Sequence, residues 1–314
     1  MRLTFAFLSF IVGCGGVNSP STTDAREAPP ADAVAPLLDA AAPLLCNPGA
    51  KFGPPILIPG LEAIDAIPAH LSPDELTLYS SSQVTQDPSD IWVAHRSTRT
   101  GAFGPPMFLT AENTTFFDGN AAVSSDGLTL WLQSNRVLNQ GYHLYVATRA
   151  STLVEFGTPG LAATVNAADP KQNDGQPFVT ADGSELWFSS NRTGGLGSDD
   201  IWVAKWTGNG FGPPTPVPQL NSSVEDWTPT LSADRLTIYF GSFRTAPGTK
   251  GSLDIWTSHR STVNDGFPAP TLVDELNTSS AEGPTFLSAD NCRLYGGLLN
   301  SSGAFRLFVA TRQP

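Results

Sequence analysis

The chain repeats one pattern, which is clearest in FSSNRTGGLGSDDIWVA, residues Phe188 to Ala204. The stretch begins at the end of an alternating apolar run, and a Gly-rich segment from Thr193 to Ser198 follows. A second apolar run, led by the acid Asp200, completes it. Apolar runs separated by glycine and polar residues are typical of two β-strands joined by a loop.

Five copies of this pattern follow one another. A phenylalanine followed by Gly or Pro opens each copy about 50 residues after the last, a period typical of propeller blades. These residues are Phe52, Phe103, Phe156, Phe211 and Phe267. Each pair begins a Pro-rich segment, which suits an edge strand because proline cannot donate to an interior ladder. Three further strands follow in each copy, so one blade contains four.

The chain ends after the third strand of the fifth copy, whereas a spare edge-type strand, Gly53 to Leu57, precedes the first copy. Pairing these two ends leaves no open sheet edge. The sequence therefore predicts an all-β fold. It is a five-bladed β-propeller of four-stranded antiparallel blades, with the last blade completed by the N-terminal strand.

The first 45 residues have a different composition. An apolar run from Leu3 to Val12 leads into Ile11-Val12-Gly13-Cys14, which resembles the bacterial lipobox. We expect residues 1–13 to be a lipoprotein signal peptide, residues 14–45 a lipidated Cys14 followed by a disordered tether, and residues 46–314 the propeller. The alternative is an ordinary secretory signal with an incidental cysteine. Gly15 after the cysteine favours an outer-membrane lipoprotein whose domain lies in the periplasm or at the cell surface.

Charge restricts the partners. The formal net charge is −12 at pH 7, and this excludes nucleic acid as an expected partner because phosphate binding needs a basic surface. The sequence contains no zinc-spaced histidines, no GxSxG and no phosphate-binding Gly-Lys-Ser/Thr loop. We expect a monomer that meets the membrane only through its lipid anchor.

The repeated motif, of the form LxxDGxxLYFSSNRxGGxGxxDIWVA, resembles the TolB-type (WD-like) propeller repeat of bacterial envelope proteins. The third copy matches best. The second departs from the motif at Tyr142-His143, and the fifth at Phe305-Arg306. The resemblance implies a propeller scaffold whose partner is an envelope protein or a cell-wall or surface polysaccharide. A scaffold alone does not define function.

Two sets of residues recur inside the blades. Arg192 and Arg244 follow second strands, while Asp200 and Asp254 open third strands. Paired across the loop, they are expected to staple its two ends, with a ligand site as the alternative. The strands also carry recurring Trp and Tyr residues, which either pack between blades or stack on sugar rings.

Five acids begin the innermost strands and are candidates for a ring at one end of the central channel. They are Asp65, Asp118, Asp174, Asp226 and Glu282. Three roles remain open: capping backbone amides of the entry loops, holding a cation such as calcium, or catalysis as in five-bladed glycoside hydrolases. No other cofactor is expected.

Two cysteines besides Cys14 are present. Cys292 lies in the first turn of the fifth blade, and Cys46 precedes the strand that completes that blade. Alternating strand direction places both at one end of the blade. In an oxidising compartment we expect a disulfide between them, with free thiols as the alternative.

These observations predict an envelope-anchored binding or scaffold module that is not an enzyme. The ligand is expected at the end of the propeller where the acids and the longest interstrand loops collect. The alternative is a glycoside hydrolase-like enzyme that uses carboxylates at the channel mouth.

Overall fold

The computed structural model describes residues 46–82, 89–300 and 303–313, apart from the side chains of residues 67–69. The expected signal peptide, Cys14 and the whole of the expected tether lie outside these residues. The described part contains twenty strands in five four-stranded antiparallel sheets, which form a five-bladed β-propeller. The predicted fold is confirmed. No helix in the described residues is long and apolar enough to cross a membrane.

The strands of each blade are numbered in chain order. Blade 1 contains β2 (Ile67–Leu71), β3 (Thr77–Ser82), β4 (Asp90–His95) and β5 (Met107–Phe108). Blade 2 contains β6 (Asp118–Val123), β7 (Thr129–Ser134), β8 (His143–Thr148) and β9 (Gly160–Leu161). Blade 3 contains β10 (Asp174–Val179), β11 (Glu185–Ser190), β12 (Asp200–Lys205) and β13 (Thr215–Pro216). Blade 4 contains β14 (Asp226–Leu231), β15 (Thr237–Ser242), β16 (Asp254–His259) and β17 (Thr271–Leu272). Blade 5 contains β18 (Glu282–Leu287), β19 (Arg293–Leu299), β20 (Phe305–Thr311) and β1 (Ile56–Leu57).

The turn between the first two strands of each blade is built by a Ser or Thr and an Asp two residues later. In blade 3, Thr180 Oγ1 donates to Asp182 Oδ1 over 2.8 Å and accepts from the Glu185 amide over 3.0 Å. Gly183 completes the turn with a φ of 69°, which glycine adopts at no steric cost. We call the channel end bordered by these turns the turn end, and the opposite end the acid end.

The recurring aromatic residues pack between neighbouring blades. Five hydrophobic clusters lie in the described residues, and each contains side chains from two adjacent blades. All nine recurring Trp and Tyr side chains are buried in these seams: Tyr79, Trp92, Trp131, Tyr145, Trp187, Trp202, Tyr239, Trp256 and Tyr295. They contribute buried apolar surface between the blades and are not exposed for stacking on sugar rings.

The ring closes through the strand that precedes the first blade. Ile56 pairs with Val309 and Leu57 pairs with Phe308, so β1 is the outer strand of blade 5. Upstream of this pairing, the Gly53 amide donates to the Thr311 carbonyl oxygen over 2.8 Å. The last blade therefore combines both ends of the domain, as the strand count predicts.

A disulfide joins Cys46 to Cys292, whose Cα atoms lie 5.9 Å apart. Both cysteines are buried, and the bond spans a sequence separation of 246 residues. The expected pairing is confirmed. It ties the start of the propeller to the turn between β18 and β19, within the blade that closes the ring.

Replacing both cysteines, as Cys46→Ser with Cys292→Ser, is expected to lower the free energy of unfolding by about 3 kcal/mol. The bond restricts a long loop of the unfolded chain, and native disulfides typically contribute on this scale. Urea unfolding followed by Trp fluorescence measures the change. A reducing agent should destabilise the wild type by a similar amount and leave the double variant unchanged. Equal stability of the two oxidised proteins would contradict this role.

Candidate functional site

Four of the predicted acids occupy one structural position, the first residue of the inner strand. Asp118, Asp174, Asp226 and Glu282 are completely buried there. Each carboxylate accepts a backbone N–H from the loop that enters its strand. The donors are Thr114, Ala167, Ser222 and Thr278, at 2.6, 2.7, 2.6 and 3.2 Å. The acids therefore cap the entry loops, which is the first of the three roles considered for them.

Asp65 does not belong to this position, so the expected ring of five acids is corrected to four. The residue equivalent to the buried acids in blade 1 is Ala66. Its amide donates to the Phe305 carbonyl oxygen, as the Glu282 amide donates to that of Leu253. The Asp65 side chain is 59% exposed and pairs with Arg306. Asp65 comes one residue before the position that the buried acids occupy in the other blades, so its side chain lies outside that buried position.

The arginines that follow the second strands pair with these buried acids. Arg192 binds Asp174, and Arg244 binds Asp226 at 2.6 Å. Blade 2 repeats the arrangement with Arg136 and Asp118 at 2.7 Å. Burial alone would raise the pKa of Asp174, but the neighbouring His143 imidazole, the Arg192 charge and the Ala167 amide hold that pKa below its ordinary value. This carboxylate is therefore ionised and already neutralised within its blade.

The expected loop staples, Arg192 with Asp200 and Arg244 with Asp254, are therefore wrong as pairs. Asp200 instead accepts the amides of Leu196 and Gly197 at 2.7 and 3.0 Å. Asp254 similarly accepts the Lys250 amide. The carboxylate at the start of the third strand therefore accepts hydrogen bonds from the amides of its own loop. The arginine of the same blade pairs instead with the acid at the start of the inner strand.

In the part of the chain that the structure describes, no group of three or more His, Cys, Asp or Glu side chains is placed to hold a metal ion. Each of the four buried acids is instead engaged by its own entry loop, and in blades 2 to 4 also by an arginine.

The central channel is narrow and lined by residues of the inner strands. A bulge interrupts these strands, and Asn120, Gln176 and Thr228 adopt positive φ angles of 49°, 53° and 52° at the equivalent position. These three residues line a cavity of about 30 Å³. His70 also lines it, and burial lowers the pKa of His70 to about 4. A cavity of this volume holds a water molecule and is too small for a sugar ring.

A larger cleft of about 270 Å³ lies at the acid end, beside blades 2, 3 and 4. We call it the acid-end cleft. Its lining includes three aromatic side chains, three amide side chains and one acid: Phe117, Tyr142, Trp227, Gln133, Asn173, Gln176 and Asp199. Aromatic faces combined with a few polar groups are typical of sites for small organic ligands.

The aromatic side chains of the cleft are half-exposed and held edge to face by neighbours. The Phe117 and Tyr142 rings lie 5.2 Å apart, and Trp227 lies 4.9 Å from Phe243. Trp227 stands where blades 2, 3 and 5 have Gly119, Gly175 and Gly283. The cleft thus uses residues that differ between blades, unlike the buried acids.

Asp199 is the acid of the cleft. Its carboxyl group is half-buried, and this burial raises its pKa above the ordinary value. The indole N–H of Trp227 opposes the rise by hydrogen bonding, whereas the negative charges of Glu225, Asp200 and Asp174 increase it. A carboxyl group in such surroundings keeps its proton to a higher pH than an exposed one, as a general acid requires.

Sequence reasoning missed the acid-end cleft because it followed the residues that repeat. Asp199 immediately precedes the repeated Asp200, and Phe117 and Asn173 precede the repeated Asp118 and Asp174. Comparing the five copies at these preceding positions would have revealed the variation. The predicted end of the propeller is nevertheless where the cleft lies.

The fold resembles solved structures at low sequence identity. An α-L-arabinofuranosidase from Lactobacillus brevis is 8% identical with a TM-score of 0.57, covering 80% of this chain and 92% of that one. An exo-β-1,3-galactanase from Clostridium thermocellum is 11% identical with a TM-score of 0.56, covering 82% and 62%. TolB from Acinetobacter baumannii is 18% identical with a TM-score of 0.44, covering 79% and 55%, so this chain spans just over half of that protein. No protein-family model and no curated protein matches the sequence.

These comparisons correct the prediction that the protein is not an enzyme. That prediction took the equivalence of the acids between blades as evidence against catalysis, yet glycoside hydrolases are among the structures that share this fold. TolB proteins are also among the similar solved structures.

Replacing Asp174 or Asp226 by Asn is expected to lower the free energy of unfolding by about 3 kcal/mol. Either change leaves a mostly buried arginine without its carboxylate, and breaking a buried ion pair costs on this scale. The matched control is Asp65→Asn, expected to change stability by less than about 0.5 kcal/mol because exposed pairs contribute little. Chemical denaturation of the three variants measures the difference. Equal effects at all three positions would contradict a structural role for the buried acids.

Proposed function

We propose that the protein binds a glycan in the acid-end cleft and hydrolyses a glycosidic bond there. The observation that carries this proposal is the placement of a half-buried carboxyl group of raised pKa, Asp199, in one cleft with Tyr142 and Trp227. Aromatic faces bind the C–H faces of sugars, and glycoside hydrolysis requires a protonated carboxyl group beside the linkage.

In this mechanism Asp199 is the general acid. It donates its proton to the glycosidic oxygen as the bond from that oxygen to the anomeric carbon breaks. A water molecule bonds to the anomeric carbon, and its proton passes to the second carboxylate. Glu225 suits the second role. Of the three acids whose charge raises the pKa of Asp199, it alone has a partly exposed side chain, since Asp174 and Asp200 are buried.

The buried acids have a supporting role in this proposal. Asp174 caps the loop that carries Asn173, and the Asp226 amide donates to the Asp199 carbonyl oxygen. The repeated residues thereby fix the backbone from which the varying residues project. The carboxylates at the channel mouth thus hold the backbone of the site in place, whereas Asp199 beside them transfers the proton.

Of the two partner classes expected from the sequence, an envelope protein or a polysaccharide, the cleft favours the polysaccharide. Anchoring through Cys14 and an outer-membrane location place such an enzyme near cell-surface or cell-wall glycans. Both are proposed from the sequence alone. Retention of a Cys14→Ser variant in the membrane fraction would count against them.

Purified protein is expected to release reducing sugar from at least one member of a polysaccharide panel, and Asp199→Asn is expected to lower the rate at least about 100-fold, the usual contribution of a general acid. Because the pKa of Asp199 is raised, activity should persist above the ordinary pKa of an aspartate and fall as pH rises through the raised value. The control Asp265→Asn changes an exposed carboxyl group outside the cleft and should leave the rate unchanged. Equal rates for wild type and Asp199→Asn would exclude this assignment.

A further inference from the structure

The three amide side chains of the acid-end cleft have a fixed orientation. Gln133 Oε1 accepts the backbone N–H of Gln176 at 3.2 Å and the Asn120 Nδ2 group at 2.7 Å. Asn173 Oδ1 accepts the Tyr142 amide at 3.0 Å, and Gln176 Oε1 accepts the Thr228 amide at 3.3 Å. A backbone N–H can only donate, so the three contacts with backbone N–H groups assign the oxygen of each side-chain amide.

With the oxygens engaged inside the protein, the NH₂ groups of Gln133, Asn173 and Gln176 remain for a ligand. Among the described residues, no acceptor is recorded for any of these three groups, and all three side chains are partly exposed in the cleft. The polar lining is therefore rich in donors, and it matches a ligand that presents hydrogen-bond acceptors.

Charge narrows the class of acceptor. A uronate or sulfate would meet the amide donors, but Glu225 and Asp200 place negative charge beside the cleft. The arginines that follow the second strands of blades 2 to 4, Arg136, Arg192 and Arg244, are already paired with buried acids. A neutral carbonyl oxygen accepts the same hydrogen bonds without this repulsion.

The aromatic side chains complete the match. Phe117, Tyr142 and Trp227 offer apolar surface within the same cleft as the amides. A group that combines a neutral carbonyl oxygen with a methyl group uses both kinds of surface, and a plain hydroxyl uses only one. The acetamido substituent of an N-acetylated sugar is such a group.

From this geometry we infer that the acid-end cleft selects N-acetylated sugars, its amide NH₂ groups donating to the acetamido carbonyl oxygen. The inference rests on the proposed glycan site and names its substrate class. Gly175 is part of the arrangement, because a Cβ atom there would overlap the Gln133 side-chain amide.

Binding of N-acetylglucosamine and glucose, and of N-acetylgalactosamine and galactose, to the purified protein tests the inference by isothermal titration calorimetry. Each N-acetylated sugar is expected to bind about tenfold more tightly than its partner, the equivalent of one to two good hydrogen bonds. Two pairs are used so that the result does not depend on one ring configuration. Equal affinity within both pairs, or no binding of any of the four, would overturn the inference.

Isosteric variants locate the effect. Gln133→Glu and Asn173→Asp keep the oxygen that accepts the backbone or side-chain donors and replace the NH₂ group by a second oxygen. Each is expected to abolish most of the preference for the N-acetylated sugar, whereas Gln219→Glu, at an exposed position outside the cleft, should retain it. Thermal unfolding confirms that the variants are folded. A preference that survives both cleft changes would contradict the role of the amides.

The outcomes separate this inference from the proposed hydrolysis. A preference for N-acetylated sugars without bond cleavage would support the inference and contradict the enzymatic proposal. Cleavage of glycans that lack acetamido groups, with no preference in binding, would support the enzyme and overturn the inference.

Discussion

The pairing of β1 with β20 is the constraint on which the rest of the structure depends. Two residues at the start of the propeller, Ile56 and Leu57, supply the outer strand of a blade whose other strands come from its end. This pairing leaves each seam with a blade on both sides, so each of the five hydrophobic clusters is complete. The Cys46–Cys292 bond lies in the same blade and holds the chain start against it. The central channel exists because the circle is closed.

Within the closed ring, residues that recur in every blade have a different role from residues that differ between blades. The residues that recur stabilise the fold. The aromatic side chains pack between blades, and Asp174 and Asp226 accept hydrogen bonds from loop amides and pair with arginines. A carboxylate neutralised in this way has little capacity left for a ligand. The positions beside the recurring acids are free to vary, and there blades 2 to 4 bring Phe117, Asp199 and Trp227 to one cleft. The proposed site therefore lies where the blades are least alike.

The fold could be predicted from the sequence because the repeated motif shows the same strand order five times. The unpaired strand before the first copy, Gly53 to Leu57, indicated how the ring closes. The disulfide followed from the same geometry. The site was harder to predict, since the partner of an arginine such as Arg192 depends on distances between loops that spacing does not encode. The one-residue offset that replaces an acid by Ala66 in blade 1 is visible only in the strand register. Nor does a sequence reveal how the Gln133 side-chain amide is oriented.

A crystal structure of the protein with a bound N-acetylated disaccharide tests the central claim most directly. The account predicts the sugar in the acid-end cleft, its ring against Tyr142 or Trp227 and its acetamido oxygen within hydrogen-bond distance of the Gln133, Asn173 or Gln176 NH₂ groups. Density for the sugar at the turn end of the channel or on the outer strands, with the cleft vacant, would contradict it.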